Sequence, residues 1–218
     1  MADSTIITAA DYADALTVAR RAKNWLFLLL LLMLLAQVAV FFVARNSDFI
    51  VSKQVEASAT TQPVEQNTLA DVLQYLTGLI DFLGMAFVVI LSLVLLLIVH
   101  IMLVGRLVGV ARVTSGLVWC FVLGVLLFPW QSFLSNATFT SESFKIPGVL
   151  YTWNELVHRA NAPSSSGPEM LLFWARFVGF PVLAVIILLA VQAKSSRGLK
   201  QAMGEAADQP PRDSLQTI

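Results

Sequence analysis

The sequence predicts an all-α integral membrane protein built as a four-helix bundle. Of its 218 residues, 57% are hydrophobic and 13% are charged, whereas soluble domains carry about 25% charged residues. The apolar residues gather in four segments, at about 25–43, 82–104, 113–130 and 171–191. Each segment is close to the ~20 residues that an α-helix needs to cross the core of a bilayer.

The first element begins ahead of span one, in residues 1–24. Thr8-Ala-Ala-Asp11 has the form of a capping box, and Tyr12, Leu16 and Ala19 follow at helical spacing. We therefore expect a cytoplasmic N-terminal helix in residues 1–24 that continues into span one without a break. The preferred interpretation of its apolar face is a simple extension into the cytoplasm. Packing on the membrane or against the C-terminal tail is the alternative.

Span two is predicted to belong to a longer helix, from about residue 69 to residue 103. Thr68-Leu-Ala-Asp71 is a second capping-box pattern, and apolar residues at helical spacing follow it. Because this helix exceeds the length of one span, its first turns should form an extramembrane extension or lie in the interface. A short turn at 105–112 then makes spans two and three antiparallel neighbours. Gly105 and Gly109 in this turn form a GxxxG pair, for which we favour a turn over a helix-packing motif.

The third loop is predicted to contain a short amphipathic helix after Pro147. Val149, Trp153, Leu156 and Ala160 fall on one face of such a helix. We expect this helix to lie in the interface of the outer leaflet, and a helix that covers the end of the bundle is the near-equal alternative.

Gly179 and Pro181 predict a helix kink inside span four, since proline cannot donate the hydrogen bond that the helix needs. A static kink is favoured over a hinge of the kind that transporters use. Residues 193–218 begin with basic residues and then become polar, so we expect a disordered cytoplasmic tail after the transmembrane domain at 25–192.

Basic residues predict the orientation, because cytoplasmic loops carry an excess of lysine and arginine. If four spans are present, nine basic residues share one side: Arg20, Arg21, Lys23, Arg106, Arg112, Lys194, Arg197, Lys200 and Arg212. The other side carries four, or five if Arg176 just inside span four is counted: Arg45, Lys53, Lys145 and Arg159. We therefore expect both termini in the cytoplasm. Compact loops without cysteine favour a bacterial cytoplasmic (inner) membrane.

Ionisable residues in or beside the spans are the candidate functional residues, because charge is costly in a membrane. Asp81 and Arg176 start spans two and four at similar depth, so we expect a structural ion pair between them. His100 is the candidate centre of an intramembrane polar site. A neutral imidazole bonded to a backbone carbonyl, or to Thr114 or Ser115, is favoured over a station in a proton relay.

Other polar residues suggest contacts with lipid rather than chemistry. Arg106 and Arg112 in the turn are candidate contacts for anionic lipid headgroups. The chain has two histidines and one cysteine, Cys120, so we expect no catalytic residue, no metal and no cofactor. A net charge of zero gives no electrostatic reason to bind nucleic acid.

These observations favour a non-enzymatic structural or accessory subunit of a membrane assembly, with lipid and either other membrane proteins or copies of itself as partners. A small oligomeric transporter or channel is the alternative, supported by Gly179, Pro181 and His100. A second alternative is a membrane enzyme with an outer-face site that includes Glu155, His158 and Glu169.

Overall fold

The computed structural model describes residues 9–46, 68–130, 149–151, 153, 155–156 and 167–204, and every regular element in these ranges is helical. The helices are α1 (Ala9–Asn46), α2 (Thr68–Val104), α3 (Val110–Leu127), α4 (Gly167–Trp174) and α5 (Phe180–Ala202). A turn of π-helix at Ala175–Gly179 joins α4 to α5. Four helices are long and apolar enough to cross a membrane, which confirms the all-α class and a multi-pass membrane protein: Tyr12–Arg45, Asp71–Val104, Val110–Leu127 and Ala175–Ala202.

Each of the four long helices is antiparallel to the next one along the chain. Helix α1 packs on α2 and α5, and α3 packs on the same two helices. Lys23 of α1 bonds to Gln192 of α5 at one end of the bundle. Arg176, in the π-helical turn, bonds to the third loop at the opposite end. We call these the Lys23 end and the Arg176 end. The α2–α3 turn also lies at the Lys23 end, because a methyl group added at Gly109 would lie 2.6 Å from Gly198 O of α5.

Helix α1 folds as one unbroken helix from Ala9, as its sequence predicts. One face of it is buried along nearly the whole length, at the alternating three- and four-residue spacing of a packed helix. The buried residues are Leu16, Ala19, Lys23, Leu30, Leu34, Gln37, Val40, Phe41 and Ala44. Leu16 and Ala19 belong to the same apolar cluster as Leu199 of α5. The N-terminal part of α1 is therefore a packed part of the bundle, and the preferred interpretation as a simple extension was wrong.

Helix α2 is continuous over 37 residues, close to the predicted range. It ends in the tight turn predicted at 105–112, where Gly105 N donates to Ile101 O at 2.9 Å. Gly109 precedes α3 with a φ of 92°, a backbone conformation that residues with a Cβ rarely adopt. The turn interpretation of the two glycines is thus confirmed, although Gly109 also allows a close approach to α5.

Small residues let α3 and α5 pack closely. A methyl group added at Gly198 would lie 2.6 Å from Val113 Cγ2 and 3.0 Å from Gly109 O. One added at Gly116 would lie 3.3 Å from Ser195 N. Close packing of small residues is a main source of helix association in membranes, where lipid removes the hydrophobic driving force.

The predicted disordered tail, 193–218, is helical up to Ala202. Helix α5 continues to Ala202, and Ser195, Gly198 and Leu199 on one of its faces are buried. The prediction failed because lysine and arginine mark the exposed face of this stretch, while the face that packs on α3 uses small residues that carry little hydropathy. Residues 205–218 lie outside the described part of the chain.

Candidate functional site

The π-helical turn places Arg176 inside the Arg176 end of the bundle, where its side chain is buried. Its Nε donates to Glu155 Oε1 and its Nη2 to Glu155 Oε2, both at 3.0 Å. Nη2 also donates to Leu150 O at 3.0 Å. The guanidinium fork and the carboxylate thus form a two-point ion pair, the strongest geometry for these groups. It ties the third loop to the helix that contains Arg176.

Arg176 pairs with Glu155 rather than with Asp81, the acidic partner that its sequence position suggests. Asp81 lies within electrostatic range of both members of this pair. Its Oδ1 and the Nη1 of Arg176 are buried, and neither has a hydrogen-bond partner among the described residues. Asp81 is therefore a charged neighbour of the pair rather than its acidic member.

Most of the described residues of the third loop are buried at this end of the bundle. Val149, Leu150, Tyr151, Trp153 and Leu156 are all buried. This burial corresponds to the alternative placement over the end of the bundle, rather than to the expected one in the membrane interface. Ala160 lies outside the described residues.

Backbone and side-chain hydrogen bonds fix this loop on α1 and α3. Val149 N donates to Leu126 O at 3.1 Å, and Gln37 Nε2 donates to Val149 O at 3.0 Å. The Tyr151 hydroxyl donates in turn to Gln37 O at 2.8 Å. Gln37 of α1 thus holds the loop through both its side chain and its backbone carbonyl.

Aromatic rings complete the packing at this end. The Phe41 ring stacks on Phe177, with centroids 5.1 Å apart and planes 7° apart. Tyr151 meets the same Phe177 ring edge to face at 5.1 Å. Arg45 lies over the Trp174 ring at 4.7 Å from its centroid, a cation–π distance.

Replacing Tyr151 with phenylalanine should cost about 0.5–1.5 kcal/mol, the usual contribution of one buried hydrogen bond. Burial, reinforced by the charge of Asp81, raises the pKa of the Tyr151 hydroxyl. Folded Tyr151 therefore holds its proton to higher pH than the unfolded chain, and stability should fall above about pH 10, where free tyrosine ionises. Thermal unfolding at neutral and alkaline pH tests both effects. Tyr75→Phe is the matched control, since the Tyr75 side chain is 80% exposed, and an equal loss in both variants would contradict the prediction.

The predicted kink at Gly179 and Pro181 coincides with the π-helical turn. Gly179 ends this turn, and Phe180 N donates to Ala175 O, five residues back. A π-helical turn contains one residue more than an α-helical turn and often lies at a functional position. Pro181 follows at the start of α5, where a missing N–H is tolerated.

A second polar cluster surrounds Lys23, which is 1% exposed. Its Nζ donates to Gln192 Oε1 at 2.8 Å, to Ser195 Oγ at 3.2 Å and to Ser196 Oγ at 2.9 Å. Gln192 is oriented by Asn24, whose Oδ1 accepts a bond from Gln192 Nε2 at 3.0 Å. Lys23 is therefore more than a charge that orients the chain, since it lies on the buried face of α1.

Replacing Lys23 with alanine should therefore destabilise the bundle by about 2 kcal/mol, because it removes three hydrogen bonds and leaves a cavity. Arg21→Ala is the control, since Arg21 lies on the exposed side of the same helical turn. Retention of folded protein after heating in detergent measures the difference. Equal losses for the two variants would show that the buried contacts of Lys23 do not stabilise the fold.

The predicted polar site around His100 is not assembled. His100 is exposed, and its Nδ1 lies 3.1 Å from Leu96 O of its own helix. A contact between the His100 ring and a backbone carbonyl is one of those that the sequence favours. Ser115 instead accepts a bond from Lys194 Nζ at 2.8 Å. Thr114 is exposed on α3.

The remaining candidates lie on the surface or in the core. Arg106 and Arg112, the candidate lipid contacts, are both exposed in and beside the α2–α3 turn. Cys120 is buried, and its Sγ lies 3.3 Å from Ser92 Oγ.

The described residues contain no group of three histidine, cysteine, aspartate or glutamate side chains that could hold a metal ion. Of the three residues considered for an outer-face enzyme, Glu155 is bonded to Arg176. His158 and the side chain of Glu169 lie outside the described part of the chain. The chain matches no known family model, no curated protein sequence and no solved structure.

Proposed function

We propose that this chain is a non-enzymatic structural subunit of a membrane protein assembly, with both termini in the cytoplasm. The Lys23 end is the cytoplasmic end in this proposal. Basic residues concentrate there: Arg20, Arg21, Lys23, Arg106, Arg112, Lys194, Arg197 and Lys200. Such an excess is the feature that orients membrane proteins. A bacterial cytoplasmic membrane remains the preferred location, because the loops lack cysteine.

The observation that carries the proposal is the apolar interior between the two polar clusters. Leu30, Leu95, Cys120, Leu123 and Leu188 in this interior are each 0% exposed. Among the buried polar side chains of the described residues, Lys23, Thr77, Arg176 and Ser195 lie toward the ends of the bundle, whereas Gln37 lies nearer the middle and donates to Val149 O. Solute and ion pathways gather polar groups near the midplane. The side chains of this interior are mainly apolar and pack against one another instead.

The third loop supports the same proposal at the Arg176 end. Its described residues Val149 and Tyr151 are buried, at 0% and 1% exposure, and Glu155 is held by its ion pair with Arg176. A solute that entered from this end would have to displace a buried, hydrogen-bonded segment.

A small transporter or channel is the second candidate, supported by one observation. Arg176 lies in a π-helical turn beside Asp81, and each side chain has one buried polar atom without a partner among the described residues. Strained or incompletely bonded groups of this kind occur at sites that move.

Extraction of the native membrane into polymer nanodiscs, followed by native mass spectrometry, tests the proposal. We expect the chain to be recovered in a defined complex. Recovery as a lone monomer would overturn the structural-subunit proposal. If the purified protein in liposomes also conducts ions or solutes, and if Asp81→Asn abolishes that flux, the second candidate replaces the first.

A further inference from the structure

A shallow cleft lies on the outer side of α1, at the Lys23 end of the bundle. Its volume is about 260 Å³, and it is lined by Arg21, Asn24, Trp25 and Leu28. These residues share one face of the helix, because the last three are three, four and seven positions after Arg21. All four are exposed, so the cleft opens to the surroundings of the protein rather than into its interior.

The cleft lies at the border of the membrane. Residues 26–43 of α1 contain no charged side chain, whereas Arg21 and Lys23 come shortly before them. Trp25 marks the border, since tryptophan prefers the level of the headgroups. Arg21 is then about 6 Å outward from Trp25 and Leu28 about 4.5 Å inward. From Arg21 to Leu28 the cleft therefore changes from charged to apolar, in the same order as a phospholipid from its phosphate to its acyl chains.

The free polar groups of the cleft are hydrogen-bond donors. The guanidinium of Arg21 and the indole Nε1 of Trp25 make no hydrogen bond to the described residues. Asn24 Oδ1 accepts a bond from Gln192 Nε2 at 3.0 Å, which leaves Asn24 Nδ2 without a partner in the described part of the chain. Gln192 is fixed in turn by Lys23 Nζ at 2.8 Å. The buried network thus engages the oxygen of Asn24 and leaves its donor side free for a ligand.

The charge around the cleft is positive. Lys23, which is linked to Asn24 through Gln192, donates only to neutral oxygens, those of one glutamine and two serines of α5. A buried charge without an opposite charge is costly, so an anion close to it is favourable. Along α1 the acid nearest to Arg21 is Asp14, seven positions and about 10 Å further from the membrane.

We propose that this cleft binds the headgroup of one anionic phospholipid. Arg21 and Asn24 hold the phosphate, since guanidinium and amide N–H groups are donors suited to its oxygens. The start of an acyl chain lies along Trp25 and Leu28. Phosphatidylglycerol fits because its headgroup is neutral beyond the phosphate, whereas choline or ethanolamine adds a positive charge that Arg21 and Lys23 repel. The site is independent of the proposed subunit function, because it requires only that α1 cross a membrane.

Purified full-length protein in nanodiscs of mixed phosphatidylglycerol and phosphatidylcholine tests the site. Native mass spectrometry measures which lipid the chain retains. We expect a preference for phosphatidylglycerol that falls about fivefold in Arg21→Gln, the usual contribution of one arginine near an anionic lipid. Arg197→Gln is the matched control, since Arg197 is an exposed arginine of the same end outside the cleft. Equal losses in the two variants, or no preference in the unchanged protein, would overturn the proposal.

A second pair of variants tests the amide of Asn24. Asn24→Asp keeps the oxygen that accepts from Gln192 and replaces the free donor with a carboxylate oxygen, which repels phosphate. Ala22→Asp adds the same charge at an exposed position of α1 outside the cleft. We expect the preference for phosphatidylglycerol to be lost in Asn24→Asp and largely kept in Ala22→Asp. The same loss in both variants would reflect general repulsion and would overturn the site.

Two further measurements separate the lipid from a soluble anion, and binding from folding. Inorganic phosphate, added to the protein in phosphatidylcholine nanodiscs, supplies the same oxygens without acyl chains. If it raises the unfolding temperature as much as phosphatidylglycerol does, the ligand is a soluble anion and the lipid assignment is overturned. In lipid-free detergent, Arg21→Gln should unfold at the same temperature as the unchanged protein. A large loss there would show that Arg21 has a structural role, and would also overturn the proposal.

Discussion

Replacing Gly198 with alanine should destabilise the protein by about 1–3 kcal/mol, and replacing it with leucine should prevent α5 from packing on α3. The added methyl group would meet Val113 Cγ2 at 2.6 Å and Gly109 O at 3.0 Å. Neither atom can move easily, since valine is stiff at its first side-chain torsion and Gly109 belongs to a tight turn. The fraction of protein that remains monodisperse after heating in detergent measures the loss.

Gly78→Ala is the matched control for this experiment. Gly78 is also inside a helix, and a methyl group added there would meet nothing within 4 Å. Alanine at such a position should be neutral or should stabilise by about 0.5–1 kcal/mol, because glycine in a helix loses more backbone entropy on folding. Similar losses for Gly198→Ala and Gly78→Ala would argue against the close α3–α5 contact.

Replacing Arg176 with leucine should cost about 3–5 kcal/mol, the range for breaking a buried ion pair from one side. The change leaves Glu155 without its bidentate partner and Leu150 O without its donor. Because both acceptors belong to the third loop, we expect that loop to become accessible. Limited proteolysis and thermal unfolding of the purified variant would detect the exposure and the loss of stability.

Two further variants test which acid matters for Arg176. Glu155→Gln should lose much of the stability that Arg176→Leu loses, because Glu155 accepts two of the hydrogen bonds of Arg176. Asp81→Asn should change stability much less, since Asp81 Oδ1 makes no hydrogen bond among the described residues. The reverse order would favour the Asp81–Arg176 pair that the sequence alone suggested. Arg112→Leu, on the surface, controls for the loss of an arginine.

Local sequence patterns, chiefly hydropathy, were sufficient to predict where the long helices lie in the chain. They predicted the number of spans, the unbroken α1 and the long α2, because each depends on local composition. The end of α5 depends on packing, since Ser195 and Gly198 are buried only because α3 lies against them. Composition therefore indicated a disordered tail where a helix forms.

The buried polar residues show a similar division. Lys23 and Gln37 could have been identified from sequence, since they occupy two positions of the otherwise apolar three- and four-residue spacing on α1. The pairing of Arg176 with Glu155 rather than with Asp81 could not have been identified from sequence. It depends on how the third loop returns to the bundle, and no local pattern encodes a pairing between residues 21 positions apart in different elements.

The π-helical turn makes the chain length in this part of the molecule critical. An α-helix turns about 100° per residue, so deletion of one residue from Ala175–Gly179 would rotate α4 by that angle relative to α5. Trp174 would then lose its cation–π contact with Arg45, and Phe173 would lose its ring contact with Phe41. Single-residue deletions, which surface loops usually tolerate, should thus be among the most damaging changes here, even though the deleted side chain itself contributes little.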